Sequence, residues 1–168
     1  MDIFLLRHGI AAERSSTRYP DDALRPLNAR GQEQMRKIAR AMRRLDLGIE
    51  LILTSPLVRA RETAEAAAKE LGLNDRIQAE EQLEPAGDFA GLLRAIARID
   101  PQPENLLLVG HEPHLSGFLS YLASGGSSLR AKLKKGGLAK VEASGPIGSN
   151  ARATLEWLLP PRLLALLD

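Results

Sequence analysis

The sequence predicts an α/β fold: a mostly parallel central sheet with crossover helices, closed by an antiparallel hairpin near the C-terminal end. Two patterns carry this. Up to about residue 124, apolar runs alternate with longer amphipathic stretches, as strands alternate with crossover helices. After that the character changes, and GLAKVEAS (137–144) and ARATLEWLL (151–159) flank a turn-forming GPIGSN as the arms of a hairpin. With 168 residues and no linker-like stretch, residues 1–168 read as one domain.

Each element has its own signal. DIFLLR (2–7) is a short apolar strand. Asn28 is a side-chain cap for a helix running to about Asp46, with Ile38, Met42 and Leu45 at helical spacing. IELILTS (49–55) is the second strand, and Pro56 opens a helix that Gly72 closes. A weak strand at Arg76–Ala79 and a helix at Phe89–Ile99 lead to the strong strand NLLLVG (105–110). A further helix starts around Pro113 and ends before Gly125 and Gly126, and the tail PPRLLALLD packs as a short helical turn. Two long loops remain, 9–26 and 125–136.

Composition excludes several classes of function. Hydrophobic residues make up 44% and charged residues 26%, a globular balance with no apolar run long enough to span a membrane. Asp2 and the lack of a basic n-region argue against a cleaved signal, so the expected location is the cytoplasm. A net charge of +2 with 4% aromatics offers neither the field nor the stacking surface of a nucleic-acid binder. The absence of cysteine removes disulfides, thiolate metal sites and cysteine nucleophiles.

The chemistry concentrates at strand ends. His8 follows the first strand, while His111 and His114 follow NLLLVG; ligands in open α/β sheets bind outside the carboxyl ends of the strands. The apolar run FLL breaks abruptly to Arg7 and His8, which is costly unless water or a ligand meets them. The strand LILTS leads to a helix carrying Arg59 and Arg61 in its first turns. Arg7, Arg59 and a helix start together would cradle a phosphate, because guanidinium groups match phosphate oxygens in bidentate geometry. Arg61 is equally an exposed residue pairing with Glu65, and His114 is either a site-lining or a structural histidine. HEPH does not fit the zinc motif HExxH: its histidines are three apart and Pro113 lies between them, so no metal is expected.

FLLRHG, PLNARG (26–31), SPLVRARETA (55–64) and VGHEP (109–113) resemble, in order and spacing, the histidine phosphatase superfamily, over Met1 to about Ala143. The short length, PAGD (85–88) and the final hairpin most resemble its small SixA-type phosphohistidine phosphatases. The resemblance implies a three-layer α/β/α sandwich and no cofactor. It implies His8 as a nucleophile that becomes phosphorylated, Arg7 and Arg59 as phosphoryl ligands, and His111 completing the pocket. Larger members carry an acid that protonates the leaving oxygen; here Glu84 is the candidate, in a motif unlike theirs. The expected substrate is a phosphorylated protein, such as a histidine-containing phosphotransfer domain. The alternatives are a phosphomonoesterase or mutase for a small metabolite, and a non-catalytic phosphohistidine-binding module. The basic stretch SLRAKLKKGG (128–137) is either a guide for an acidic partner or a solvated loop.

Overall fold

The computed structural model describes residues 1–145, 147, 148 and 151–168. In chain order the elements are β1 (Asp2–Arg7), α1 (Ala29–Arg44), β2 (Leu51–Thr54), α2 (Val58–Leu71), β3 (Ile77–Ala79), α3 (Phe89–Ala97), β4 (Asn105–Gly110), α4 (His114–Ser124), β5 (Leu138–Ala143), β6 (Ala153–Leu159) and α5 (Pro161–Leu164). Short 3-10 turns at Asp22–Leu24 and Glu81–Leu83 interrupt two of the connections.

The six strands form one sheet in the order β3-β2-β4-β1-β5-β6. β1, β2, β3 and β4 are mutually parallel, and β5 runs antiparallel to both β1 and β6. Residues of β1 alternate between two cores, as the pleat requires. Ile3 and Leu5 pack with Leu92, Leu93 and Ile96 of α3 and with Leu115 and Phe118 of α4. Phe4 and Leu6 pack with Met35, Ile38 and Met42 of α1, Ala60 and Ala64 of α2 and Leu164 of α5. Helices thus cover both faces, which is the expected three-layer sandwich. It explains why β1 and β4 read as continuous apolar runs rather than alternating ones.

Register brings three strand ends side by side. Arg7 pairs with Gly110 and Thr54 with Val109. Beyond the ladder His8 N donates to Gly110 O (3.0 Å) and Ser55 N to Val109 O (2.9 Å). Residues 8, 55 and 111 therefore share one sheet edge.

Several boundaries differ from expectation. α2 starts at Val58 rather than Pro56, because Leu57 is extended (φ −63°, ψ 134°) and its N–H donates to Ser55 Oγ. β2 is shorter than the apolar run that announced it. Leu45 is the C-cap of α1 and is 38% exposed, so it extends past the buried stripe. Asn28 caps α1 as expected, its Oδ1 accepting from Gly31 N at 2.8 Å, and Gly72 ends α2 in the left-handed region at φ 73°. Within the GPIGSN turn, Pro146, Ser149 and Asn150 lie outside the described residues.

Candidate active site

His8 is 6% exposed and is oriented by its own neighbour: Gly9 O lies 2.7 Å from Nδ1. The carbonyl can only accept, so Nδ1 carries the proton and Nε2 keeps its lone pair. Gly9 is held in turn, because its N–H donates to Thr63 Oγ1 (3.1 Å), whose hydroxyl donates to Arg59 O (2.8 Å). A side chain on Gly9 would meet Met35 Cγ at 2.7 Å, so the residue after His8 must be bare. The PLNARG segment supports the same corner. Asn28 N donates to Ile10 O (3.0 Å), and a Cβ on Gly31 would lie 2.0 Å from that carbonyl oxygen.

Arg59, in the first turn of α2, is 4% exposed. Its Nη1 donates to Asp22 O at 2.8 Å and its Nη2 faces Asp22 Oδ2 at 3.2 Å. Arg25 anchors that turn, donating from Nε to Asp22 Oδ1 (2.9 Å) and from Nη1 to Ala12 O (2.9 Å). Arg7 donates from Nη1 to Leu133 O at 2.9 Å. His111 lies 5.0 Å from His8 between ring centroids, and its Nε2 meets Ser55 Oγ at 2.9 Å. Ser55 Oγ also accepts from Leu57 N and keeps both a proton and a second lone pair for His111 Nε2, so the contact orients the ring in either tautomer.

All four side chains line one cleft of about 640 Å³. Arg7 Nε, Arg59 Nε and His111 Nδ1 are buried there without a hydrogen-bond partner among the described residues. Buried polar groups left unpaired are costly, and two arginine Nε–H donors in the same cleft as a bare imidazole nitrogen suit an oxyanion that accepts from both. Burial foremost, with the nearby arginines adding, pushes both His8 and His111 down to about 3, so both rings are neutral at physiological pH. An apolar groove of about 650 Å³ between α1 and α5 is as large, but no histidine lines it. Among the described residues, no three His, Cys, Asp or Glu side chains come together to hold a metal ion.

The remaining candidates lie outside this cluster. Arg61 is exposed and faces Glu65 at 3.8 Å, the surface-pair reading. His114 is buried edge-on against Phe89 (5.1 Å between centroids) and does not line the cleft. Burial is the main cause lowering its pKa; its nitrogens make no bond of ordinary geometry, though the Gly87 backbone is near enough to oppose the shift. Glu84 is half-buried and is likewise not part of the cleft wall, where its neighbour Pro85 stands instead. Sequence reading missed Asp22, Arg25, Ser55, Thr63 and Glu112. Ser55 and Thr63 lie inside SPLVRARETA and Glu112 inside VGHEP, so the motifs held them, but nothing in the sequence says which neighbour each would reach. Glu112 lines the cleft, its Oε1 accepting from Leu133 N (2.8 Å) and its Oε2 from Ser116 N (3.2 Å) and Oγ (2.6 Å).

Comparison with known proteins identifies the family and the fold. The model of the histidine phosphatase superfamily, branch 1, matches residues 3–108. An uncharacterized protein of Picosynechococcus sp. (strain ATCC 27264 / PCC 7002 / PR-6) is 36% identical over 169 residues, covering 95% of this chain and 100% of that one. The phosphohistidine phosphatase SixA of Escherichia coli (strain K12) is 32% identical over 121 residues, 71% of each chain. Among solved structures, the protein histidine phosphatase SixA complexed with tungstate superposes with a TM-score of 0.83 at 25% identity, covering 98% of this chain and 99% of that one. The α-ribazole phosphatase of Shigella flexneri shares the fold, with a TM-score of 0.72 at 20% identity over 96% and 97% of the two chains.

Proposed function

The chain belongs to the histidine phosphatase superfamily, branch 1, and we propose that within it the protein is a metal-independent phosphohistidine phosphatase acting on phosphorylated proteins. His8 Nε2 attacks phosphorus, a P–Nε2 bond forms, and the P–N bond of the substrate breaks as its imidazole leaves. Water then attacks the phosphorylated His8 and releases phosphate, returning the bond pair to Nε2. Arg7, Arg59 and His111 bind the phosphoryl oxygens and offset their charge as it redistributes.

One observation carries the reading: a lone-pair nitrogen on His8 in one cleft with two buried arginine Nε–H donors, and with His111 Nδ1, that have no protein partner among the described residues. The choice of phosphohistidine over an ester follows from what surrounds them. Expelling an alkoxide, whose conjugate acid is about as weak as water near 15.7, calls for a positioned proton donor. Three carboxylates line the cleft; Glu13 is exposed to solvent, and the other two are engaged as acceptors. Asp22 is ion-paired to Arg25 and Arg59, and these cations, the Arg25 hydrogen bond first, hold its pKa below the ordinary value. Glu112 accepts bonds at both oxygens. Imidazole, titrating near 6.5, can take its proton from solvent before leaving, so P–N cleavage depends little on an acid in the cleft.

The test is a panel comparing kcat/KM for a phosphohistidine protein, a phosphoserine peptide and sugar phosphates. General acid catalysis is typically worth about 10²–10⁴-fold, so phosphohistidine is expected to lead the esters by at least about 10²-fold. Glu84→Gln is expected to change phosphohistidine turnover by less than about tenfold. Equal rates on both classes, with loss of the ester reaction alone in Glu84→Gln, would identify Glu84 as a working acid and favour a phosphomonoesterase. Phosphohistidine binding without turnover of any substrate would favour a binding module.

A further inference from the structure

We propose that the segment Ser128–Lys135 is a docking strap for an acidic stretch of polypeptide flanking the phosphohistidine of the substrate protein; this rests on the phosphohistidine reading above. Burial alternates along the segment as in an extended chain. Leu129, Ala131 and Leu133 turn inward, with Leu133 fully buried in the core between the sheet and α4, while Arg130, Lys132 and Lys134 are exposed. At the ~3.3 Å per residue of an extended chain, alternate cations would lie about 6–7 Å apart along it. Lys135 carries the row into the catalytic cleft.

None of these four cations has a carboxylate within 4.0 Å among the described residues, so the row carries four adjacent charges that no ion pair offsets. A solvated loop would leave the row without fixed geometry, but this one is pinned. Leu129 N donates to Ser120 Oγ (3.1 Å), Leu133 N to Glu112 Oε1 (2.8 Å) and Gly137 N to Lys134 O (2.6 Å). Two further bonds join it to the proposed phosphoryl ligand: Arg7 Nη1 donates to Leu133 O (2.9 Å) and Gly136 N to Arg7 O (3.0 Å). A hollow of about 630 Å³, lined by Arg130 and Lys132, adjoins the catalytic cleft and shares Arg7 and Glu112 with it.

A small phosphorylated metabolite is too short to meet the whole row, which from Arg130 to Lys134 covers about 13 Å of extended chain. An extended acidic segment presents alternate side chains at the same period and matches it. The hollow has no aromatic lining on which a base would stack, so a polypeptide rather than a single-stranded nucleic acid fits the row.

The experiment uses the full chain and two synthetic peptides with one central phosphohistidine, one flanked by Glu at alternate positions and the other by Gln. Three exposed contacts of about twofold each combine to about tenfold. The acidic peptide is therefore expected to show about tenfold higher kcat/KM at low salt, carried by KM with kcat unchanged. That preference should vanish near 0.5 M salt, where the screening length is only about 4 Å. In the triple variant Arg130→Ser, Lys132→Ser, Lys134→Ser the preference should also disappear, while turnover of phosphoramidate, too small to reach the row, stays within about twofold of wild type. Equal kcat/KM for both peptides in the wild type, a preference that survives the triple substitution, or tighter competition by a single-stranded oligonucleotide than by the unphosphorylated acidic peptide would each overturn the docking strap alone. Failure to hydrolyse either peptide while phosphoserine is hydrolysed would overturn the phosphohistidine reading, and the strap with it.

Discussion

Lowering the pH from 7.5 to 5 is expected to destabilise the protein through the two histidines of the cleft, whose unfolded pKa lies above that of any carboxylate. Burial and the neighbouring arginines hold His8 and His111 at about 3 in the folded chain. In the unfolded chain both return to about 6.5. The folded pKa is the lower of the two, so the unfolded state takes up protons first as pH falls. The stability is thus fully present above about 6.5 and is lost progressively down to about 3. At pH 5 the unequal proton binding costs about 2 kcal/mol for each histidine, about 4 kcal/mol for the pair. Any folded value below about 4 gives nearly the same figure at that pH. His114, also lowered chiefly by burial, acts in the same direction. Urea unfolding at the two pH values measures the loss, and imidazole nitrogen chemical shifts follow the rings directly. Both rings should stay neutral down to pH 5, with the proton on Nδ1 of His8. A midpoint near 6.5 for either ring, or a stability change under about 1 kcal/mol, would refute the argument that the cleft keeps these nitrogens bare by burial.

Thr63→Val removes the bridge between Gly9 N and Arg59 O, leaving Gly9 N–H buried and unpaired; a stability loss of about 1–3 kcal/mol is expected, read from urea unfolding. Gly31→Ala drives a methyl group into Ile10 O, so a loss of about 1–3 kcal/mol should accompany a fall in kcat/KM as the Gly9–Ala11 backbone gives way. On the proposed roles, Arg7→Ala and Arg59→Ala each lower kcat/KM by about 10²–10³-fold, and a variant within about threefold of wild type would remove that arginine from the account. The arginines supply the positive charge a metal would bring, so EDTA should leave activity unchanged while vanadate inhibits; activity restored by a divalent ion would contradict this.

The parts of the site legible in the sequence are those that depend on where a strand ends. FLLRHG and NLLLVGH place His8 and His111 because an apolar run must be a buried strand, and parallel strands leave their next residues at one edge. Asn28 and Gly72 were legible as caps because their chemistry is local. Thr63 and Asp22 were not: each acts on a residue tens of positions away, through one hydrogen bond or ion pair that no periodicity encodes. Pro56 misled because a proline suits a helix start, whereas the Ser55 hydroxyl takes the next free N–H and keeps Leu57 extended. Leu45 continued the helical stripe in spacing but falls where α1 has already passed the edge of the core. The basic stretch read equally as loop or guide, since charge in a sequence does not reveal whether the backbone beneath it is pinned.

The central claim is that phosphate passes through His8. The most direct test is to mix the enzyme with a phosphohistidine protein carrying labelled phosphate, quench within a turnover in alkali, where phosphohistidine survives, and map the label by mass spectrometry. The account predicts label on His8 and nowhere else, appearing before free phosphate and absent in His8→Ala. Label on His111, or undiminished turnover by His8→Ala, would contradict it.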